Sequence, residues 1–323
     1  MKAITIGYLS TAYHTSFILI GTDWIRKKMK IKADWRLFPT GPEMIKAFVK
    51  GELDVGYIGL PPAMIGIDKG LAIKCIAGGH MEGTIFTAKK DFKTFSELKS
   101  VEKVLQQFKG KTIGTPTKGS IHDVIIRNLL EKSGLQQDIM IKNFSWADQI
   151  LEAMEDNEIE GGVGTPPLSV LASNLLGARV LLPPHLIWPN NPSYGIVATL
   201  DRIENSSYTL ESFLKLHEEA CNLIRTQPQQ AADTAAKTLG TVDRNFVLEV
   251  YGVSPKYCAS LSKEYVDSTL AFVPFLQKTG YIKSPVDTDD IFYAKLIEKI
   301  HPEKPHYGDS GVLSDLASSD GKD

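Results

Sequence analysis

This sequence predicts a two-lobe α/β protein, each lobe a mixed, mostly parallel sheet flanked by helices. Three features carry that expectation. Short strand-like runs alternate with segments of helical period from residue 3 to about residue 200. Strand ends carry Gly, Pro, Thr or Ser, the residues of tight strand-to-helix corners. Beyond residue 200 the chain turns helical, leaving too few strands for a third sheet. At 323 residues the length suits two ordinary domains.

Residues 3–9 (AITIGYL) alternate as a half-buried strand does, and residues 13–29 follow as a helix with Phe17, Ile20, Trp24 and Ile25 on one stripe. A strand at 31–38 leads to Thr40-Gly41-Pro42-Glu43, a helix start. It offers a capping residue, a proline whose missing N–H costs nothing, and an acid in the first turn. Met44, Ala47 and Phe48 form the inner face, and Gly51 ends the helix. DVGYIG (54–59), a short helix after Pro61-Pro62, and IKCIAGG (73–79) complete the first block. In the second block, helices at 95–108, 119–132, 147–154 and 167–176 alternate with strands at 111–115, 139–144, 161–165 and 178–182. A strand at 193–200 precedes helices at 209–226, 228–238, 243–251, 262–278 and 288–300. The small, polar tail 308–323 is expected to be disordered.

Composition excludes several functions. Lys plus Arg is 36 and Asp plus Glu is 38, a net charge of -2, without the basic excess of a nucleic-acid binder. No apolar run has the length of a transmembrane segment. The start MKAITIGYLS enters a strand pattern directly, without the basic and apolar stretches of a secretory leader. Cys75, Cys221 and Cys258 are far apart and fit no metal spacing, so buried free thiols are expected and neither metal nor cofactor is assigned. G-x-S-x-G, G-x-x-x-x-G-K-[ST] and H-E-x-x-H motifs are absent.

Three stretches in order, GPEMIKAFVKGELDVGYIGLPPAMIGIDKG, KGKTIGTPTKGSIHDVIIRNLLEKSGL and GGVGTPPLSVLASNLLGARVLL, resemble the solute-binding proteins of the nitrate/sulfonate/taurine/thiamine-precursor class of ABC importers. The resemblance spans about residues 3–300. It implies a type II periplasmic-binding-protein clamshell, with lobe one formed by 1–86 plus 197–323 and lobe two by 87–196. The chain would cross near 84–90 and 194–200, and the C-terminal helices would dock on lobe one. It also implies hinge closure on a small ligand and a permease partner.

Ligands of such sheets bind outside the carboxyl ends of the strands, so the corners supply the candidates. In lobe one these are Ser10, Thr11, Tyr13, His14, Thr40, Gly41, Gly59, Leu60 and Pro61, with His80 and Glu82 beside the first crossover. In lobe two they are Thr115, Gly119, Ser120, Trp146 and Thr165, with Trp188 before the second crossover. Gly119-Ser120 entering a helix offers unpaired N–H groups, a hydroxyl and the positive dipole end, an anion cradle. Lys118 is the one permanent cation at these corners. Two ligand classes stay open: a sulfonate or nitrate held by N–H groups and hydroxyls, or a small heterocycle such as a thiamine pyrimidine.

A receptor is favoured over an enzyme. Some proteins resembling this class are intracellular enzymes, among them fungal thiamine-pyrimidine synthases, menaquinone-pathway enzymes and a sulfinate desulfinase. Here His14, His80 and Glu82 would serve as acid and base only if they converge, and the cysteine-rich iron motif of the fungal enzymes is missing. A leader removed before Met1 would place the protein outside the cytoplasm, and a native start at Met1 inside it.

Overall fold

In the computed structural model, strand β1 (Ala3–Leu9) pairs in parallel with β2 (Lys32–Phe38) on one side and β3 (Val55–Ile58) on the other. The structure describes residues 3–309 and residue 313. Of the tail expected to be disordered, all but Gly308, Asp309 and Leu313 lies outside the described residues. The first sheet has the order β2-β1-β3-β10-β4, where β4 is Ile73–Met81 and β10 is Pro192–Thr199. The second has the order β7-β6-β8-β5-β9, formed by Met140–Phe144, Thr112–Pro116, Gly161–Gly164, Ile85–Ala88 and Arg179–Leu182 respectively.

The two sheets share one plan. In each, the fourth strand in spatial order, β10 or β5, runs antiparallel to both neighbours. Each of those strands is also the first element after the chain changes sheet. Glu82–Thr84 carry the chain from β4 to β5, and residues 183–191 carry it back from β9 to β10. The ranges 84–90 and 194–200, read from the sequence as crossovers, thus contain residues of β5 and β10 themselves.

The first lobe's helices are α1 (Ser16–Thr22), α2 (Gly41–Val49) and α3 (Leu60–Asp68). The second has α4 (Phe95–Leu98), α5 (Val101–Gln106), α6 (Ile121–Lys132), α7 (Asp148–Glu155), α8 (Pro166–Leu176) and α9 (Pro184–Ile187). After β10 come α10 (Leu200–Asn205), α11 (Ser207–Thr226), α12 (Pro228–Leu239) and α13 (Arg244–Val253). The last are α14 (Lys263–Leu270), α15 (Val273–Lys278), α16 (Thr288–Ile291) and α17 (Lys295–Ile300). These C-terminal helices pack on the first lobe: α11 and α12 lie against α1, and α16 and α17 against β4.

Several helices expected as single pieces are broken, each for a local reason. The one at 13–29 becomes α1 and a π-helical turn, Ile25–Met29, because Asp23 takes a left-handed conformation with φ 56°. Lys99, also left-handed, separates α4 from α5, and Ser100 caps the second piece. Pro274 cannot donate a backbone bond, so α14 stops before it and α15 begins around it. Extended Phe292 interrupts α16 and α17, and the N–H of Tyr293 donates to the Cys75 carbonyl of β4 at 2.9 Å. Among the described residues no helix is long and apolar enough to cross a membrane.

The lobes also touch away from the strand links. Helix α3 packs on α6, and α8 on α13. The Tyr281 hydroxyl donates to Asp123 at 2.7 Å, the Asn174 amide to Glu249 at 2.9 Å, and Lys278 pairs with Glu131.

Candidate functional site

Between the lobes lies a cavity of about 80 Å³. From the first lobe it is lined by the corner after β1, the starts of α2 and α3, and Ser193 of β10. From the second it is lined by Pro116, the start of α6, Ala147 and one face each of α7 and α8. Of the residues singled out in the sequence, Ser10, Thr11, Tyr13, His14, Thr40, Gly41, Gly59, Ser120 and Thr165 all meet here.

The wall built by the first lobe is a buried layer of packed rings and hydrogen bonds. Tyr13 is buried, and its hydroxyl shares a 2.8 Å hydrogen bond with Ser193 Oγ. Its ring sits 4.7 Å from that of His14 and 4.8 Å from that of His80. Behind it, Tyr194 lies 4.0 Å from the His14 ring and its hydroxyl is 3.3 Å from the Thr15 N–H. Thr15 in turn bonds His217 at 2.9 Å.

Thr11 Oγ1, His14 Nδ1 and Thr40 Oγ1 are buried polar atoms on cavity-lining residues with no partner among the described residues. Native proteins seldom leave such atoms unpaired; each is shielded in this structure, and a ligand would reach it as the lining side chains shift. The floor is tight at Gly59: a Cβ there would come within 3.2 Å of Ile121 across the cleft.

Electrostatically the cavity is quiet. Among the described residues no lysine or arginine lines it, and its one formal charge is the exposed carboxylate of Asp148. Burial pushes the His122 pKa down to about 4, and its Nδ1 is 2.9 Å from Thr84 Oγ1. Burial holds His14 well below the usual histidine value, with the nearby His80, His122 and His217 adding to the effect. Both imidazoles are therefore neutral at pH 7.

The anion cradle expected at Gly119-Ser120 is occupied by the chain itself. Gly119, with φ +83°, donates its N–H to Asp123 Oδ2 at 2.9 Å, and Ser120 Oγ caps the Asp123 N–H at 3.3 Å. The fully buried Asp123 carboxylate also accepts from Arg127, Asn143 and Tyr281. A carboxylate thus already takes the Gly119 N–H that would face an anion just before α6. Other corners are short of donors because prolines occupy their first turns: Pro42 in α2, Pro61 and Pro62 in α3, Pro166 and Pro167 in α8.

The remaining candidates lie off the cavity. Leu60 and Pro61 fall inside the first turn of α3 and turn into the core, leaving Pro62 at the surface of the cleft. His80 is one layer back, its Nε2 2.6 Å from the Ser254 carbonyl. Glu82 is a strand-link residue with φ 63°. Its carboxylate accepts from the Asn190 N–H and pairs with Lys256, both at 2.9 Å. Thr115 is buried, and its hydroxyl has no partner among the described residues. Trp146 is 37% exposed and points outward. Trp188 stacks on Phe272 with ring centroids 4.1 Å apart and donates to Ser268 at 3.0 Å, a packing role. His14 and His80 both pack on Tyr13, but of the three acid–base candidates only His14 lines the cavity, and Glu82 is held by Lys256.

Reasoning from polar corners left His122 open between the loop entering α6 and the outer surface, and missed Asp148, Ser193 and the apolar lining of Ile121, Leu151, Leu168 and Leu171. Leu168 and Leu171 are three apart on α8, a spacing visible in the sequence but equally that of core residues.

The fold recurs in proteins of known structure. The periplasmic aliphatic sulphonate binding protein SsuA from Escherichia coli superposes with a TM-score of 0.72 at 18% identity, covering 91% of this chain and 92% of that one. The periplasmic nitrate-binding protein NrtA from Synechocystis PCC 6803 gives 0.72 at 12% identity, covering 95% and 90%. These likenesses establish the type II clamshell. By sequence, a protein of Brucella abortus (strain 2308) named as a binding protein is 26% identical over 309 residues, 90% of each chain. The model of the NMT1-like family matches residues 1–240, a stretch that holds both sheets and every residue lining the cavity. On that match the chain belongs to the NMT1-like family.

Proposed function

We propose that this chain captures a small solute between its lobes and delivers it to an ABC importer, and that the solute is uncharged at neutral pH. The supporting observation is the cavity's chemistry: three unpaired buried polar atoms and apolar walls, with neutral imidazoles and no lysine or arginine among the described lining residues. A sulfonate or nitrate would lose its hydration there and meet few compensating donors. A small heterocycle, of which a thiamine pyrimidine precursor is an example, buries its ring against Pro62, Leu168 and Leu171. Its ring nitrogens and amino group would pair with Thr11, His14 and Thr40. A permease partner and an extracytoplasmic location belong to the same proposal.

The test is a thermal-shift and calorimetric panel of taurine, longer alkanesulfonates, nitrate and aminopyrimidines. A ligand at 100 times its Kd adds about 2.7 kcal/mol of stability, and we expect that gain from an aminopyrimidine that is recovered unchanged. Stabilisation by sulfonate or nitrate with none by heterocycles overturns the ligand class. Consumption of the bound molecule overturns the receptor.

A further inference from the structure

Outside the cavity, the thiol of Cys258 and the imidazoles of His301 and His306 are gathered so that one ligand atom from each lies within 4.8 Å of the others. Cys258 Sγ is 3.3 Å from His301 Nε2, which is 3.1 Å from His306 Nδ1. Tetrahedral zinc, with Zn–S near 2.3 Å and Zn–N near 2.0–2.1 Å, places sulfur and nitrogen about 3.5 Å apart and two nitrogens about 3.4 Å apart. Both contacts made by His301 Nε2 are within a few tenths of an ångström of those spacings.

We propose that Cys258, His301 and His306 form a binding site for a thiophilic divalent metal, Zn²⁺ being the natural probe. A second, independent observation concerns the sulfur. The backbone N–H groups of Ser260 and His306 both point at Cys258 Sγ, each at 3.4 Å. Outer contacts of this kind commonly fix the position of a metal-ligating atom. The two histidines are spaced H-x₄-H in HPEKPH, within the range of zinc-binding histidine pairs. The cysteine arrives from 43 residues upstream, so spacing among cysteines alone could not reveal the set. Metal binding releases the Cys258 proton to solvent. Three protein ligands leave the fourth position to water.

The site would act as a clasp. Cys258 lies on a segment bonded along β4, its N–H donating to the Gly79 carbonyl and the Gly78 N–H to Ala259. His301 ends α17, and the following chain is tied back by the Tyr307 hydroxyl on the Ser260 carbonyl at 2.8 Å. An ion joins these two segments beside the first sheet, and none of its ligands lines the cavity.

The experiment uses the full chain stripped with chelator and titrated with Zn²⁺ alone, then with Co²⁺ as a spectroscopic reporter. The expected result is one equivalent bound, a higher melting temperature, and a thiolate-to-cobalt charge-transfer band. Loss of a metal-orienting partner typically weakens affinity 10–100-fold, so loss of a ligand in His306→Ala should weaken it at least about 100-fold. Cys258→Ser should abolish the charge-transfer band. His306 is only partly buried, so its variant keeps the test open if the cysteine variant fails to fold. Failure of the wild-type chain to take up Zn²⁺, or uptake unchanged in both variants, overturns the site.

Discussion

The two lobes repeat one strand order yet build opposite kinds of wall around the cavity. The first lobe presents Tyr13 and His14, backed by Tyr194, His80 and His217 in a fully buried aromatic layer. The second presents helix starts and helix faces, among them Ser120, Thr165 and Leu168. Its buried charge, Asp123, is spent on holding its own α6 loop and on reaching Tyr281 across the cleft. One wall is a pre-set template, and the other is a surface that meets it. The likeness of topology says nothing of this, because it arises from which side chains the corners carry.

The contrast is sharpest in acid. His14, His80 and His217 stand in or behind the first wall, and His122 alone in the second. Burial lowers His80 to about 3 and His217 and His122 to about 4. A histidine depressed in the folded state leaves the unfolded chain holding more protons between about pH 6.5 and the folded value. Stability is therefore full above about pH 6.5 and is lost as pH falls toward 4, by about 3 kcal/mol for each such group. Urea midpoints at pH 7, 6, 5 and 4.5 should drop steeply. His217→Gln and His122→Gln should each flatten the slope by about one proton. A flat profile in the wild-type chain would show that these imidazoles are solvated and the aromatic layer is loose.

The same pH series separates the ligand classes. A neutral solute leaves His14 and His122 unprotonated in both free and bound forms, so affinity should stay level from pH 7.5 to 5.5. A bound anion would raise their pKa values and take up a proton, so affinity would climb as pH falls. Calorimetry in two buffers of different ionisation enthalpy reads that proton directly.

Next in size is the meeting line of the two walls. Gly59 has ordinary backbone angles, φ -64° and ψ 148°, so a side chain there is not strained in itself. Its only conflict is with Ile121 of the other lobe. Gly59→Leu should therefore fold normally, since lobes moved apart accommodate it. Ligand affinity should drop about 100-fold, or about 2.7 kcal/mol. Scattering should show a larger radius of gyration with ligand present than for wild type. Unchanged affinity would mean that the cavity is reached and sealed without the α3–α6 contact.

How much of this was legible beforehand follows from the same contrast. Corner chemistry located both walls, because a strand ending in Gly59 or Thr165 before prolines can only turn at the ligand edge. Nine candidate residues meet at the cavity for that reason. What corners do not reveal is direction. Trp188 and Glu82 stand in the links as expected of crossover residues, yet one stacks on Phe272 and the other pairs with Lys256. Asp123 was invisible as a competitor for the α6 N-terminus, since an acid in a first turn usually reads as simple dipole compensation. The helix breaks at Asp23, Lys99 and Phe292 depend on left-handed or extended residues that carry no glycine or proline mark.

Tyr281→Phe tests the reach of the second lobe's buried acid. The hydroxyl on Asp123 is one hydrogen bond between lobes, worth about 1.5–3 kcal/mol to a charged acceptor. Asp123 keeps Gly119, Arg127 and Asn143. Fold stability of the second lobe should then hold while ligand affinity falls at least about tenfold. Equal losses in melting temperature and affinity would make Tyr281 part of the lobe's packing and not of its closure.

The smallest effect is expected at the outer edge, where Asn174 on α8 donates to Glu249 on α13 at 2.9 Å. Both side chains are exposed, so water replaces either partner at little cost, and such contacts contribute only about 0.2–0.5 kcal/mol. Asn174→Ala should change affinity by no more than about twofold. The value of the measurement lies in its ratio to Gly59→Leu. If closure is governed by the floor of the cleft, the floor variant must outweigh the edge variant by at least about tenfold. A tenfold loss from Asn174→Ala would place the governing contact between α8 and α13. The second wall would then be drawn in from its rim, with Gly59 and Ile121 coming together as a consequence.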